Sequence, residues 1–218
     1  MRVLAIGDIH GCKRALDTLL DAVAPSRDDL LVTLGDYVDW GPDSCGVLDR
    51  LIELDAATHL VPLRGNHEEL MIRARDFPNE LQFWLNVGGR AALASYPSGK
   101  IPDAHWEFLE RRCVDSFETE NHIFAHGGLD PDLPLADQKI HILRWLTFRD
   151  PKPHFSGKVL ICGHSLQKSG RPCNRGHSIC IDTAAVRGGG LTCLDVMTGS
   201  FWQGDESGRL SEGSLTNP

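Results

Sequence analysis

The chain has 218 residues, 41% hydrophobic and 24% charged, with a formal net charge of −8. This length can bury a full core as one domain, and the balance excludes a wholly disordered chain. The acidic balance argues against general affinity for nucleic acid or an anionic membrane, but not against phosphate at a metal, which brings its own positive charge.

No apolar run approaches the roughly 18 residues of a membrane span, so no membrane partner is expected. Arg2 is followed at once by Val3-Leu4-Ala5-Ile6 and Asp8, so no leader segment is expected. The seven cysteines are odd in number and form no close C-x-x-C pair. They read as reduced thiols in a cytoplasmic protein, and a monomer is expected.

Residues 2–6 read as a strand and 15–23 as a helix, with Leu16, Leu19, Leu20 and Val23 on one face. Pro25-Ser26 breaks the helix, and 30–34 reads as a buried strand. Pro42-Asp43-Ser44 opens a second helix through Val47, Leu48, Leu51 and Ile52, and 59–63 reads as a third strand. The alternation predicts a parallel sheet with right-handed crossovers. Residues 68–112 are rich in helix formers and tryptophan, with breaks at Gly88-Gly89 and Pro97-Ser98-Gly99. They predict a helical insertion over one end of the sheet, with Phe83, Trp84 and Trp106 in its core. After Cys113, strands are predicted at 122–125, 159–162, 178–181 and 191–196, and Thr198-Gly199 as a tight turn into Phe201-Trp202-Gln203. Residues 204–218 are polar and rich in Gly and Ser, and predict a mobile tail. The sum is an α/β fold of two packed mixed β-sheets flanked by helices, one domain over 1–203.

Three segments carry chemistry: Gly7-Asp8-Ile9-His10-Gly11, Gly35-Asp36-Tyr37-Val38-Asp39 and Gly65-Asn66-His67-Glu68. Each follows an apolar run, and they recur about 28 to 30 residues apart, the length of one βα unit. Asp8 and His10 alternate by two, so both can point the same way from an extended chain. Asp36 has two oxygens with which to bridge two metals. Asn66 offers an amide oxygen without adding negative charge to a site that must accept phosphate. His126 and His164 end later apolar runs and can complete a second metal's shell. Such a set suits a two-metal hydrolytic centre, and the mixed nitrogen and oxygen donors admit manganese, iron or zinc. His59, His105, His122, His141, His154 and His177 lack a motif partner and read as structural.

These segments resemble the signature of the calcineurin-like metallophosphoesterases, in the branch holding serine/threonine phosphoprotein phosphatases and bacterial diadenosine tetraphosphate hydrolases. The likeness continues through Trp84-Leu85-Asn86, Gly88-Gly89, His126-Gly127-Gly128, Gly163-His164-Ser165 and Ile181-Asp182-Thr183 with Gly188-Gly189. The resemblance implies the family's αββα sandwich and two divalent ions, manganese foremost. It implies Asp8, His10 and Asp36 on one ion, and Asp36, Asn66, His126 and His164 on the other. A hydroxide held by the metals would attack phosphorus directly, without a phosphoenzyme. His67 would protonate the leaving oxygen and Asp39 would hold its ring.

One departure stands out. The family pattern continues Val-Asp-Arg-Gly, where this chain reads Val38-Asp39-Trp40-Gly41. An indole brings no charge to a phosphate. The cation is expected instead from Arg144, Arg149 or Arg90, with Trp40 as a wall of the substrate site. The function implied is a phosphomonoesterase, foremost a serine/threonine phosphoprotein phosphatase, whose partner is a phosphorylated protein or a small phosphoester. The alternatives are a diadenosine tetraphosphate or related nucleotide hydrolase and a weakly active phosphate-binding regulatory module.

Overall fold

The computed structural model describes residues 1–216. In chain order the elements begin with β1 (Val3–Ile6), α1 (Lys13–Val23), β2 (Leu30–Thr33), α2 (Ser44–Ala57) and β3 (His59–Pro62). Four helices follow, α3 (Asn66–Asp76), α4 (Leu81–Trp84), α5 (Arg90–Ala94) and α6 (Asp103–Glu107), with π-helical turns over Leu85–Gly89 and Phe108–Arg112. The remainder is β4 (Ser116–Glu118), β5 (His122–Ala125), α7 (Ile140–Trp145), β6 (Val159–Cys162), β7 (Cys173–Asn174) and β8 (Ser178–Cys180). It closes with β9 (Leu191–Asp195), β10 (Ser200–Gly204) and β11 (Leu210–Ser214).

The strands form two mixed sheets, in the orders β11-β10-β9-β1-β2-β3 and β4-β5-β6-β8-β7. The centre of each is parallel: β1 with β2 and β2 with β3 in one, β5 with β6 and β6 with β8 in the other. The pleat sorts side chains between layers. Val3, Ala5, Leu30 and Val32 meet Phe124, Ile161, Ile179 and Ile181 between the sheets. Leu4, Ile6 and Leu31 face the other way, onto Leu16, Leu19, Leu48 and Leu51 of α1 and α2. Ile123, Leu160, Cys162 and Cys180 carry the outer face of the second sheet against Leu143 of α7. Each fully buried aliphatic side chain of this kind contributes about 1.5–3 kcal/mol. The fold is therefore a four-layer sandwich with helices outside both sheets.

Helix ends follow local chemistry. The Asp43 side chain accepts from Gly46 N at 2.8 Å and starts α2, and Ala24 in a left-handed conformation closes α1 through a bond from its N–H to Leu20 O. Residues 66–112 are helical except over 77–80 and 95–102. Leu70, Met71, Trp84, Phe108 and Leu109 join the core of α1 and α2 rather than forming one of their own. All seven cysteines are free. No described helix is long and apolar enough to cross a membrane.

The end of the chain differs from the expected mobile tail. Gly204 belongs to β10, and residues 210–214 pair antiparallel with it in register, Phe201 opposite Gly213 and Gly204 opposite Leu210. Glu206, in the turn between them, accepts from Ala15 N at 3.0 Å and ties the hairpin to α1. Asn217 and Pro218, also assigned to that tail, lie outside the described residues.

Candidate metal centre

The polar motif residues stand just beyond the C-terminal ends of parallel strands. Asp8, Asp36 and Asn66 follow β1, β2 and β3, and His126, His164 and Asp182 follow β5, β6 and β8. The edge where two parallel cores end is the usual ligand-binding edge of such sheets, and here both sheets contribute to one cleft. Two groups of possible metal donors form there, His10 with Asp36 and His67, and Asp36 with His126 and His164. Asp36 belongs to both. Its Oδ2 lies 3.4 Å from His10 Nε2 and its Oδ1 lies 3.3 Å from His126 Nε2, so its two oxygens divide between the groups.

Backbone carbonyls aim the rings. Val38 O takes the N–H of His10 Nδ1, and Leu34 O that of His126 Nδ1, both at 2.8 Å. Each ring therefore turns an Nε2 lone pair inward. Asn66 Oδ1 lies 2.9 Å from both His126 Nε2 and His164 Nδ1. Burial pulls His10 and His164 down to about 4, so both rings are neutral at neutral pH, the form in which imidazole binds metal. Burial opposes the Asp36 charge, but His126 and His67 outweigh it and hold its carboxyl well below the ordinary range.

Asp8 falls in neither group. Its carboxylate accepts the backbone N–H of His164 at 2.9 Å, and a Cβ at Gly163 would collide with it. Burial, then the neighbouring charges of Asp182 and Asp36, push the Asp8 carboxyl well above its usual value. Burial likewise raises Asp182 to about 6. Lone pairs facing lone pairs and buried carboxylates short of a counter-charge are what a cation resolves. The donor set therefore fits divalent metal.

Beside the donors sits an imidazole–carboxylate pair. His67 Nδ1 lies 2.7 Å from Asp39 Oδ2. Burial disfavours the imidazolium, but the charges of Asp36 and Asp39 and the Asp39 hydrogen bond outweigh it and raise His67 to about 9. Asp39 is fully buried, and both of its oxygens also accept from Trp84 Nε1, each at 3.0 Å. The indole read as insertion core is therefore also the donor that holds the carboxylate against His67. A Cβ at Gly89 would sit 2.5 Å from the Trp84 ring, and one at Gly88 would sit 2.9 Å from Asp39 Cβ and from Trp40 N. Those two glycines let the insertion close against the Asp39 loop.

Glu68 is a second residue whose role the motifs leave unread. Its buried carboxylate accepts from Asp36 N, Tyr37 N, Val38 N and Gly65 N at 2.8, 2.7, 3.3 and 2.8 Å. It fastens the second motif loop to the third. Among the described residues, seven non-glycines adopt positive φ. His10, Asp36, Asp39, Trp40, His164 and Ala184 surround this cleft, and only Ala24 lies elsewhere, at the end of α1. Such conformations cost about 1–3 kcal/mol each and persist only where the surroundings enforce them.

The expected arginines stand apart from the donors. Arg144 is 6% exposed, and its fork is spent on Asp115 and on Glu69 Oε2 at 3.1 Å. Arg149 lines a different cavity with Gly128, Phe148 and Lys152. Arg90 is exposed on α5 and does not line the cleft. Trp40 is 44% exposed at the cleft, edge-on to His67 with ring centroids 6.3 Å apart. His105, read as structural, spends Nε2 on Asp49 and Nδ1 on Tyr96 OH.

The fold and its donor-lined cleft define a metal-dependent phosphoric ester hydrolase. Residues 1–188 match the calcineurin-like phosphoesterase family, and the chain belongs to it. It is 30% identical over 205 residues to serine/threonine-protein phosphatase 1 of Salmonella typhimurium, covering 87% of this chain and 89% of that one. It is 45% identical over 76 residues to the symmetrical bis(5'-nucleosyl)-tetraphosphatase of an Acidovorax species, covering 34% of this chain and 26% of that one. A solved structure described as a candidate diadenosine tetraphosphatase superposes with a TM-score of 0.68 at 24% identity, covering 100% of this chain and 95% of that one. That last likeness speaks to fold alone.

Proposed function

We propose that the chain is a manganese-dependent phosphomonoesterase that acts on serine/threonine phosphoproteins. Asp8, His10 and Asp36 would hold one ion, and Asp36, Asn66, His126 and His164 the other. Bound there, divalent cations supply positive charge for phosphoryl oxygens and lower the pKa of water at phosphorus. The observation that carries the reading is the His67–Asp39 pair. A buried carboxylate on Nδ1 fixes the ring's tautomer and leaves Nε2 to face the cleft. His67 gives that proton to the departing ester oxygen as the P–O bond breaks, and Asp39 stabilises the imidazolium before transfer. A module that only binds phosphate has no use for a leaving-group acid. The likeness to the Salmonella phosphatase over most of both chains supports the protein substrate.

A second reading is hydrolysis of dinucleoside polyphosphates, favoured by the exposed face of Trp40, on which a nucleobase can stack. Initial rates with manganese on a phosphoserine peptide, p-nitrophenyl phosphate and diadenosine tetraphosphate decide between them. Turnover of the first two is expected. Turnover of the dinucleotide alone, with nucleotide products, would replace the proposal by the second reading.

A further inference from the structure

The cleft beside the donors has a volume of about 170 Å³, and its lining includes His10, His164, Asp182, Trp40 and Arg187. Arg187 closes the short 3-10 turn Ala185–Arg187, which leaves β8 through Ala184 at φ +63°. That strained residue turns the chain back over the cleft. The Arg187 guanidinium carbon lies 5.8 Å from the centre of the Trp40 ring, within reach of a cation–π contact. Trp40 in turn stands edge-on to His67. The indole thus stands between His67 and the guanidinium.

The rest of the site makes this placement meaningful. The fork of Arg144 is occupied, and Arg149 and Arg90 do not line this cleft. Among the described residues, Arg187 is the arginine that does. It is exposed, and no described carboxylate forms an ion pair with it; Asp182 feels its charge from a distance. A guanidinium is always charged and offers a planar fork that matches two phosphate oxygens. Lying over an indole, the guanidinium keeps its N–H edges free.

We infer that Arg187, carried on the face of Trp40, is the phosphate-binding cation of this active site. Trp40 then does not vacate the place of a cation but supports one delivered from the loop after β8. The inference rests on the phosphoesterase reading for its substrate, while the binding of phosphate itself can be measured without turnover.

The test is calorimetric titration of inorganic phosphate into the manganese-loaded protein, with metal content measured in parallel. Arg187→Met keeps the stem and removes the charge. It is expected to weaken phosphate about tenfold or more, the scale of hydrogen bonds to a charged group, with metal content unchanged. Arg187→Lys keeps the charge without the fork and is expected to fall between. On p-nitrophenyl phosphate, Arg187→Met should lower kcat/KM by about 10²–10³-fold, as does loss of one positioned oxyanion donor. Phosphate affinity within twofold of the parent, or weakening only alongside metal loss, overturns the assignment. If the parent protein binds phosphate tightly yet cleaves none of the esters, the phosphoesterase reading fails while the loss in Arg187→Met still supports Arg187.

Discussion

The floor of the cleft and its rim are built by different means. On the floor, the rings of His10 and His126 are aimed by the carbonyls of Val38 and Leu34, and Glu68 ties the loops together through four backbone N–H groups. The backbone itself dictates where the donors point. On the rim, the Arg187 guanidinium lies over the Trp40 ring, 5.8 Å from its centre, and both side chains are solvent-exposed. An over-determined floor enforces the strained φ angles at His10, Asp36 and His164. A rim of exposed side chains can change its residues while the hydrogen bonds that aim the floor stay in place. The chemistry of phosphorus is thus separable from the choice of substrate, and substitutions in the two regions should differ in kind.

The largest effect belongs to the floor. Asp36→Ala removes the carboxylate shared by both donor groups. Metal content is expected to fall from two ions to one or none, with a loss of about 10³-fold or more in turnover, since several kcal/mol of charge stabilisation disappear. Elemental analysis of the purified variant checks this directly. Two ions retained with near-normal rates would remove Asp36 from the bridging role.

His67→Asn comes next and should leave metal content intact. Turnover of a phosphoserine peptide is expected to drop by about 10²–10⁴-fold, the usual span of general acid catalysis. The drop should be smaller for p-nitrophenyl phosphate, whose leaving group departs without a proton. Equal losses on both substrates would mean that His67 binds rather than protonates.

Trp84→Phe tests whether the insertion supports the His67–Asp39 pair or only covers it. The ring volume is largely kept, while the donor to both Asp39 oxygens is lost. Leaving that buried carboxylate short of a partner should cost about 1–3 kcal/mol in a denaturant melt. Peptide turnover should fall about tenfold, as when a supporting partner of a site residue is removed. A stability loss with unchanged kinetics would make the indole packing alone.

The floor was largely legible in the sequence and the rim was not. Asp8, Asp36 and Asn66 announce themselves because an apolar strand, a glycine and a polar ligand recur at βα spacing. Strand ends have a periodic signal, and the sheet converts that signal into position. Arg187 has no such signal. It lies between Val186 and Gly188-Gly189, and only the left-handed turn at Ala184 and the packing of the loop after β8 bring it to Trp40. Trp84 was readable in part: a buried indole needs a partner for its N–H, but the sequence does not say which carboxylate supplies it. The hairpin strand β11 was missed because most of its residues are exposed and its pairing with β10 depends on register rather than on burial.

The smallest expected effect on phosphate belongs to Arg144, and it bears most directly on the comparison. The family resemblance makes it a candidate phosphate anchor, yet its guanidinium is bonded to Asp115 and Glu69, and Glu69 also accepts from Trp145 Nε1 at 3.2 Å. A phosphate could gain this arginine only by displacing two carboxylates that already hold it. Arg144→Met should therefore act on stability. Losing one member of a largely buried ion pair can cost about 3–5 kcal/mol. Asp115 and Glu69 keep 33% and 23% of their side-chain surface exposed, so their charges can recover water and about 1–3 kcal/mol is expected. The affinity for inorganic phosphate should stay within about twofold, against the tenfold or greater loss expected of Arg187→Met. Titration of both variants under the same manganese loading makes the contrast. If Arg144→Met loses phosphate as Arg187→Met does, the carboxylates must release Arg144 when substrate arrives, and the rim would extend across α7 to a second cation.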